Sequence, residues 1–256
     1  MTLLSVEHVT RQYRLPRNSL LSPARTITAV DAANFTLERG KTLGIVGESG
    51  SGKSTLARMV MAFEKPDTGR VLFEGNDLAA LRAAELRALR PHFQLVFQDP
   101  FGSLDPRRTV GWSIAEPLRA TGTPDDGRVA EALDHVGLRA ADAGKFPHEF
   151  SGGQRQRVAI ARAIVTRPSL LVADEAVSAL DMSVQAQILN LLMDLQDDLG
   201  LAILFISHDL SVVGSICDSI LVMEHGKSVE YGMAADVMQS PKQPYTRSLL
   251  KASGLI

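Results

Sequence analysis

The chain has 256 residues, enough for one or two globular domains with a substantial core. The formal net charge is −2, with 45% apolar and 22% charged residues, so the composition provides no global field that favours nucleic acid or anionic lipid. One cysteine, Cys217, excludes an internal disulfide and a four-cysteine metal site within this chain, and it favours a reducing compartment. The apolar runs are strand-sized, below the roughly 18–20 residues of a membrane span, and the first residues show no signal-peptide pattern.

The chain opens with two predicted strands, over 2–10 and 27–38, because apolar and polar residues alternate there. Prolines and polar residues between Arg14 and Thr26 predict a loop. Four arginines lie in and beside this loop with no acid between them, at Arg11, Arg14, Arg17 and Arg25. A solvated basic loop is the first interpretation, and contact with phosphate or lipid is the alternative.

A glycine-rich segment follows the next apolar strand, 42–46, and precedes a helix-forming stretch over 55–61. Its sequence is Gly47-Glu48-Ser49-Gly50-Ser51-Gly52-Lys53-Ser54, which fits G-x-x-x-x-G-K-[ST] in the strand–loop–helix context of a phosphate-binding P-loop. The glycines allow close backbone approach, and the loop amides with the helix N-terminus offer donors to an anion. Lys53 is expected at the β- and γ-phosphates of a nucleotide, and the Ser54 hydroxyl on Mg²⁺.

The remaining elements predict a parallel α/β core with an inserted helical lobe, since strands and helices alternate except where prolines interrupt the chain after Asp99. In chain order they are a strand over 69–75, a helix over 78–89, a strand over 94–97, a mainly helical lobe over 99–167, a strand over 170–173, a helix over 183–199 that stops at Gly200, and strands over 201–206 and 219–223.

Two further segments carry chemistry. The strand over 170–173 ends at Asp174 and Glu175, and in P-loop proteins such a strand-terminal acid holds Mg²⁺ while the next can orient or deprotonate the attacking water. The segment Ser151-Gly152-Gly153-Gln154 opens a helix, and its small residues leave amides available to a second anion. Two phosphate-binding ends in one chain suggest a nucleotide that is shared between two subunits.

The segment from Ser151 to Arg157 resembles the signature motif of ABC-type ATPases, with Phe150 where leucine is usual. The resemblance covers nearly the whole chain. It implies an α/β fold, a P-loop NTPase core of the ABC type with an N-terminal antiparallel β subdomain and an inserted α-helical subdomain. It also implies one ABC ATPase domain over 1–256, with the core and β subdomain at 1–98 and 168–256 and the helical signature subdomain at 99–167.

The resemblance assigns roles to further residues. Gln98 matches the Q-loop glutamine, Ser178-Ala179-Leu180-Asp181 the D-loop at the dimer interface, His208 the switch histidine at the γ-phosphate, and Tyr13 the aromatic that stacks on adenine, while Ala176-Val177 replaces the usual Pro-Thr. The implied cofactors are ATP and Mg²⁺. The implied site residues are catalytic Lys53, Gln98, Glu175 and His208; ATP-binding Tyr13, Gly47, Glu48, Ser49, Gly50, Ser51, Gly52, Lys53, Ser54 and Thr55; signature Ser151, Gly152, Gly153 and Gln154; D-loop Asp181; and Mg²⁺-binding Ser54, Gln98 and Asp174.

Three features are similar to the peptide and nickel import branch of this family: the insertion over 14–26, the segment over 97–110 and the tail over 243–250. This similarity implies an ATP-hydrolysing subunit that energises uptake of di- or oligopeptides or nickel, peripheral at the cytoplasmic face of the membrane. The implied partners are a second ABC ATPase (a paralogue or a second copy), two transmembrane permease subunits and an extracytoplasmic solute-binding protein, with no nucleic acid.

The substrate stays open at this point, because the chain lacks the longer C-terminal extension of many oligopeptide-type members and nickel or another small solute fits as well as dipeptides. The alternative function is an ABC ATPase of a soluble multi-subunit complex, of the phosphonate-breakdown or the DNA repair and translation type. Co-purification with membrane subunits, soluble enzymes or nucleic acid separates these classes.

Overall fold

The computed structural model describes residues 1–14, 26–178 and 180–255. The described strands are β1 (Thr2–Arg14), β2 (Thr26–Glu38), β3 (Thr42–Val46), β4 (Thr68–Phe73), β5 (Asn76–Asp77), β6 (Phe93–Val96), β7 (Leu170–Asp174), β8 (Ala202–Ile206), β9 (Ser219–Glu224) and β10 (Lys227–Met233). The described α-helices are α1 (Lys53–Val60), α2 (Ala83–Leu89), α3 (Pro100–Ser103), α4 (Val110–Ile114), α5 (Glu116–Ala120), α6 (Asp126–His135), α7 (Gly152–Ile164), α8 (Met182–Leu199), α9 (Leu210–Ile216), α10 (Ala234–Gln239) and α11 (Pro244–Ala252). None of these helices is both long and apolar enough to cross a bilayer.

One compact unit comprises residues 1–38, 42–81 and 205–256. In it β1 pairs antiparallel with both β2 and β4, and β4 pairs with β5. Val6 of β1 lies opposite Phe35 and Val71 on its two neighbours, and all three side chains are buried. The alternation of apolar residues on these strands therefore builds a one-sided antiparallel sheet.

The same unit contains the strand that carries the glycine-rich loop. All five residues of β3 are buried, and β3 runs parallel to β9. Helix α9 packs against β3 at Gly44, where an added Cβ would overlap Val213 and lie 2.9 Å from the Cys217 sulfur. Cys217 is buried, and burial raises the pKa of its thiol.

The other compact unit comprises residues 39–41 and 82–204. Strands β6 and β7 run parallel, with Phe93 opposite Leu170 and Val96 opposite Ala173. Helix α7 buries its apolar side against α3, α4, α6 and α8. As predicted, the described residues between 99 and 167 form helices and turns without a strand, and α8 ends at Gly200 in a left-handed conformation with φ 64°.

The predicted helix over 78–89 is wrong in its first turn, because α2 begins only at Ala83. The Asp77 carboxylate accepts a hydrogen bond from the Ala79 N–H (3.0 Å), and its carbonyl accepts one from the Ala80 N–H (3.1 Å), so residues 77–80 form a turn. Glu85 then accepts from the Arg82 N–H (2.9 Å) and closes the first turn of the helix. Strands β5 and β10 and helices α9, α10 and α11 were not among the predicted elements.

The predicted loop is shorter than Arg14 to Thr26, since these two residues pair at the ends of β1 and β2. The rest of that prediction, with Arg17 and Arg25, lies at positions 15–25, outside the described residues. Arg11 is not a solvated arginine of a basic loop. Its guanidinium forms ion pairs with Glu64 (3.3 Å) and Asp67 (3.0 Å), two acids that are distant in sequence.

The packing of α9 on β3 predicts that Gly44→Ala destabilises the protein. An extra methyl group at this position must displace buried neighbours, at a cost of about 1–3 kcal/mol, which corresponds to roughly 3–10 °C in Tm. The control is Gly144→Ala, because a Cβ on Gly144 meets no atom within 4 Å. Thermal unfolding without nucleotide compares the two variants, and equal Tm values would contradict the tight packing at Gly44.

Candidate functional site

The glycine-rich loop connects β3 to α1 and passes close to two neighbouring strands. Gly47 has φ 151° and Gly52 has φ 106°, conformations that side-chain-bearing residues rarely adopt. A Cβ on Gly47 would overlap the carbonyl oxygen of Met223, and a Cβ on Gly52 would overlap that of Ala29. The motif glycines are therefore required by the packing of the loop, independently of any bound anion.

Lys53 occupies the inside of this loop. Its side chain is buried, with 5% of its surface exposed, and Nζ donates to the carbonyls of Gly47 (2.7 Å) and Glu48 (2.8 Å). The Ser51 hydroxyl lies 3.5 Å from the same nitrogen. Since a buried ammonium without acceptors is very costly, the loop backbone is shaped to surround this cation. Phosphate oxygens can take the place of these carbonyl acceptors.

The loop has an exposed rim and a buried anchor. Glu48, Ser49 and Gly50 are exposed, as is Ser54 in the first turn of α1, and Thr55 is half-buried. Ser51 is buried, and its carbonyl accepts a hydrogen bond from the Gly226 N–H (2.9 Å). The rim therefore presents backbone, two serine hydroxyls and the Glu48 carboxylate to solvent, while the anchor holds the loop on the unit.

The C-terminal helix contacts the rim of the loop. The Tyr245 hydroxyl of α11 accepts a hydrogen bond from the Glu48 N–H (3.3 Å). The start of α11 is fixed by Glu230, whose carboxylate accepts from the N–H groups of Lys242 (2.8 Å) and Gln243 (3.1 Å). Burial raises the pKa of the Tyr245 hydroxyl. The similarity of the tail over 243–250 to the import branch does not predict this contact with the loop.

The aromatic ring of Tyr13 is held from two sides. Its hydroxyl donates to Glu64 (2.5 Å), and the Arg11 guanidinium lies 5.0 Å from the ring centroid. The hydrogen bond from Tyr13 and the charge of Arg11 hold the pKa of Glu64 below its usual range. The half-buried ring is thus oriented in the protein itself, with a cation against the ring as in other cation–π pairs.

His208 lies in the short turn between β8 and α9. The Ser207 N–H donates to the Ile45 carbonyl (3.2 Å), so the turn begins beside the end of β3. Asp209 begins α9 by accepting a hydrogen bond from the Ser211 N–H (2.9 Å). The exposed imidazole of His208 is therefore carried by a turn that is fixed on both sides.

The strand-terminal acids belong to the other unit. β7 ends at Asp174, and Glu175 follows with φ 50°, a left-handed conformation that is uncommon for a side-chain-bearing residue. The Glu175 carbonyl accepts hydrogen bonds from both the N–H (3.1 Å) and the hydroxyl (3.0 Å) of Ser178. The Gln98 amide donates to the same hydroxyl oxygen (3.1 Å). This unit therefore brings Gln98, Glu175 and Ser178 together.

The signature residues start helix α7. The Ser151 hydroxyl accepts from the Gln154 N–H (3.3 Å), and the Gln154 side chain accepts from the Ser151 N–H (3.0 Å), which is a capping box. A Cβ on Gly153 would lie 2.5 Å from Val184 of α8, whereas a Cβ on Gly152 would meet nothing within 4 Å. Three of the four predicted signature residues thus have a local structural role.

Asp181 has a similar local role at the start of α8. Its carboxylate accepts from the Ser183 hydroxyl (2.7 Å) and the Val184 N–H (3.0 Å), and these bonds lower the pKa of Asp181. Ala179, two positions earlier in the D-loop, lies outside the described residues. The carboxylate therefore serves as the N-cap of α8.

The predicted metal ligands are a hydroxyl, an amide and a carboxylate, from Ser54, Gln98 and Asp174. Oxygen donors of this kind suit Mg²⁺. Within the described residues, no three His, Cys, Asp or Glu side chains are grouped to hold a metal. Mg²⁺ in phosphoryl-transfer sites needs only one or two carboxylates, with phosphate oxygens and water completing its shell, so the donor set fits this ion.

A buried lysine inside a glycine loop between a parallel strand and a helix defines a P-loop nucleotide-binding protein of the α/β class. The family model described as ABC transporter matches residues 30–178 of this chain. The match covers more than half of the sequence, and the chain belongs to the ABC transporter ATP-binding family. The resemblance noted from the signature segment is thereby confirmed.

Relatives named as transport ATP-binding proteins match nearly the whole chain. The oligopeptide transport ATP-binding protein OppD of Mycobacterium tuberculosis is 50% identical over 254 residues, which are 98% of this chain and 42% of OppD. The probable peptide ABC transporter ATP-binding protein y4tS of Sinorhizobium fredii is 48% identical over 255 residues, which are 98% of this chain and 72% of y4tS. The glutathione import ATP-binding protein GsiA of Shigella flexneri is 47% identical over 254 residues, which are 98% of this chain and 41% of GsiA. The chain thus spans less than half the length of OppD and GsiA.

Solved structures confirm the predicted fold class. The structure of cbiO1 from Clostridium perfringens, part of the ABC transporter complex cbiONQ, matches with a TM-score of 0.81 at 28% identity, covering 99% of this chain and 95% of cbiO1. The ATP-binding cassette MJ0796, a dimer in a post-hydrolysis state with ADP and Pi, matches with a TM-score of 0.77 at 27% identity. The match covers 91% of this chain and 99% of MJ0796.

The contact between α11 and the loop predicts that Tyr245→Phe weakens ATP binding about 2- to 10-fold. This is the change in affinity expected when one hydrogen bond that fixes the loop is lost. Titration calorimetry on the intact chain measures the affinity. Tyr231→Phe is the matched control, because the Tyr231 hydroxyl donates to the Thr36 carbonyl (3.0 Å) and not to the loop. Equal affinities in the two variants would show that Tyr245 does not support the loop.

Proposed function

We propose that this chain is the ATP-binding and ATP-hydrolysing subunit of an ABC importer that takes up peptides. The observation that carries the proposal is the buried Lys53 inside the glycine loop, an arrangement whose established use is to hold a nucleotide triphosphate. The names of OppD, y4tS and GsiA support peptides, including one as small as glutathione, over nickel among the substrates that the sequence leaves open.

In the proposed ATP complex, the loop over 47–52 surrounds the phosphates and Lys53 exchanges its carbonyl acceptors for β- and γ-phosphate oxygens. Tyr13 stacks on the adenine, an arrangement supported by the ring orientation that Glu64 and Arg11 impose. Ser54, Gln98 and Asp174 hold Mg²⁺, which neutralises phosphate charge when bound.

Glu175 is the proposed general base. Its carboxylate orients the attacking water and accepts a proton from it, and the water oxygen attacks the γ-phosphorus in line with the departing ADP oxygen. His208 contacts the γ-phosphate and stabilises the charge on its oxygens in the transition state. The peptide itself need not touch any of these residues, because the chain acts through its membrane partners.

The proposed active form contains two ATPase subunits, either a paralogue with this chain or two copies of it. Ser151 and Gly153 contact the γ-phosphate of the nucleotide held by the other subunit, and Asp181 lies at the interface between them. The dimeric state of MJ0796 supports this arrangement. The N-terminus of α7 is then available to bind the phosphate held by the second subunit, since Gly152 leaves open space beside the first turn.

The proposed membrane partners are two permease subunits, which receive peptides from an extracytoplasmic solute-binding protein and place this chain at the cytoplasmic face. The segment over 98–116 is the proposed docking site for a short permease helix. Exposed aromatic side chains beside and within the segment support this placement, since Phe97, just before it, and Trp112 expose 48% and 37% of their surface. Arg108 and Arg119 stack on the Trp112 ring at 4.7 and 4.2 Å.

Glu175→Gln is expected to lower ATP turnover by roughly 10²-fold or more while ATP still binds, because the amide keeps the size of the side chain but cannot act as a base. The measurement is the ATPase rate of the assembled transporter beside the ATP affinity. Sedimentation of the same variant with its partner and ATP should show a stable dimer. Near-normal turnover would place the base elsewhere, and a strictly monomeric species would contradict the shared site.

The docking proposal predicts that a photoactivatable residue at position 99 crosslinks to a permease subunit in membranes that contain the complete transporter. A crosslinker at position 231, an exposed site on β10, serves as the control and should give no permease adduct. Permease adducts from position 231 but not from position 99, or permease adducts that map only outside 98–116, would refute this docking site.

A further inference from the structure

The hydroxyl group of Ser178 joins two residues of the proposed chemistry. Its proton is directed at the Glu175 carbonyl (3.0 Å), so its oxygen can only accept from the Gln98 amide N–H (3.1 Å). These two hydrogen bonds form a bridge from Gln98 through Ser178 to Glu175, in which the donor and the acceptor of each bond are fixed. A side chain that lacks a donor at position 98, or a hydroxyl at position 178, cannot reproduce it.

The bridge ends on a backbone turn whose two middle residues are buried. Ala176 and Val177 are buried, each with 2% of its surface exposed, while Ser178 is exposed. Glu175 itself has a left-handed backbone. The two hydrogen bonds from Ser178 to the Glu175 carbonyl close this turn and define the direction in which the Glu175 side chain leaves the backbone.

We infer that Ser178 is a positioning residue that couples the state of Gln98 to the orientation of Glu175. The inference rests on the proposed function, in which Gln98 binds Mg²⁺ and adjoins the docking site while Glu175 is the base. The amide oxygen of Gln98 is the atom that would hold Mg²⁺, whereas its amide N–H donates to the Ser178 oxygen. Displacement of Gln98 removes this hydrogen bond, and the turn that carries Glu175 then loses one of the contacts that fix it. Movement of a permease helix against the segment after Gln98 therefore reaches the base through one hydroxyl group.

The test compares Ser178→Ala with Ser178→Thr in the assembled transporter, because threonine keeps the hydroxyl and the exposed position tolerates a methyl group. Loss of the bridge is expected to lower kcat about 3- to 10-fold, as for one hydrogen bond, with KM for ATP unchanged within about twofold. Ser178→Thr should restore kcat to within about twofold of the unmodified chain. In a Gln98→Ala background, Ser178→Ala should lower kcat by less than about twofold, because the hydrogen bond from residue 98 to Ser178 is already missing.

Three results would overturn the inference: an unchanged kcat in Ser178→Ala, an equal loss in Ser178→Thr, or fully multiplicative losses in the Gln98→Ala, Ser178→Ala pair. Glu175→Gln, assayed in parallel, separates this failure from failure of the proposed function. If Glu175→Gln abolishes turnover and Ser178→Ala does not reduce it, only the coupling is wrong. If Glu175→Gln retains turnover, the proposed base is wrong and the coupling falls with it.

Discussion

The buried ammonium group of Lys53 is the constraint on which the rest of the nucleotide-binding unit depends. A cation in this position requires acceptors around it, and the chain supplies them as the backbone carbonyls of Gly47 and Glu48. To turn these carbonyls inward, the loop must curve so closely that Gly47 and Gly52 leave no room for a Cβ. Contacts within the protein therefore curve the loop around a positive charge, and preorganisation of this kind reduces the entropy lost on binding.

Several residues that the family assigns to nucleotide chemistry also begin helices. Ser151 and Gln154 close the first turn of α7, and Asp181 caps α8. Substitutions at these positions remove a cap together with any contact to a neighbouring subunit, so lost activity there combines two causes. Glu175→Gln is a cleaner probe of chemistry, because it keeps the shape of the side chain and leaves the backbone bonds from Ser178 in place.

The sequence was sufficient to predict the elements that local patterns define: the strand before the glycine loop, the strand ending at Asp174, and α8 with its stop at Gly200. It failed where a distant residue or a local side chain decides the structure. Asp77 converts the predicted start of α2 into a turn, and Tyr245 reaches the Glu48 N–H from a position 197 residues away. No periodicity encodes such a contact. The left-handed backbone of Glu175 was equally hidden, because nothing in the residue type favours it.

The energetics of the turn after Glu175 explain why a single hydroxyl can matter there. A left-handed backbone at a residue with a side chain costs about 1–2 kcal/mol. Each hydrogen bond from Ser178 contributes a net stabilisation of about 0.5–1.5 kcal/mol, so the two bonds and the strain are of similar size. The bonds from Ser178 thus offset the local strain at Glu175, while the buried side chains of Ala176 and Val177 hold the middle of the turn. Gln98 supplies a contact of that size to the Ser178 oxygen, which is the physical basis for the proposed coupling between Gln98 and Glu175.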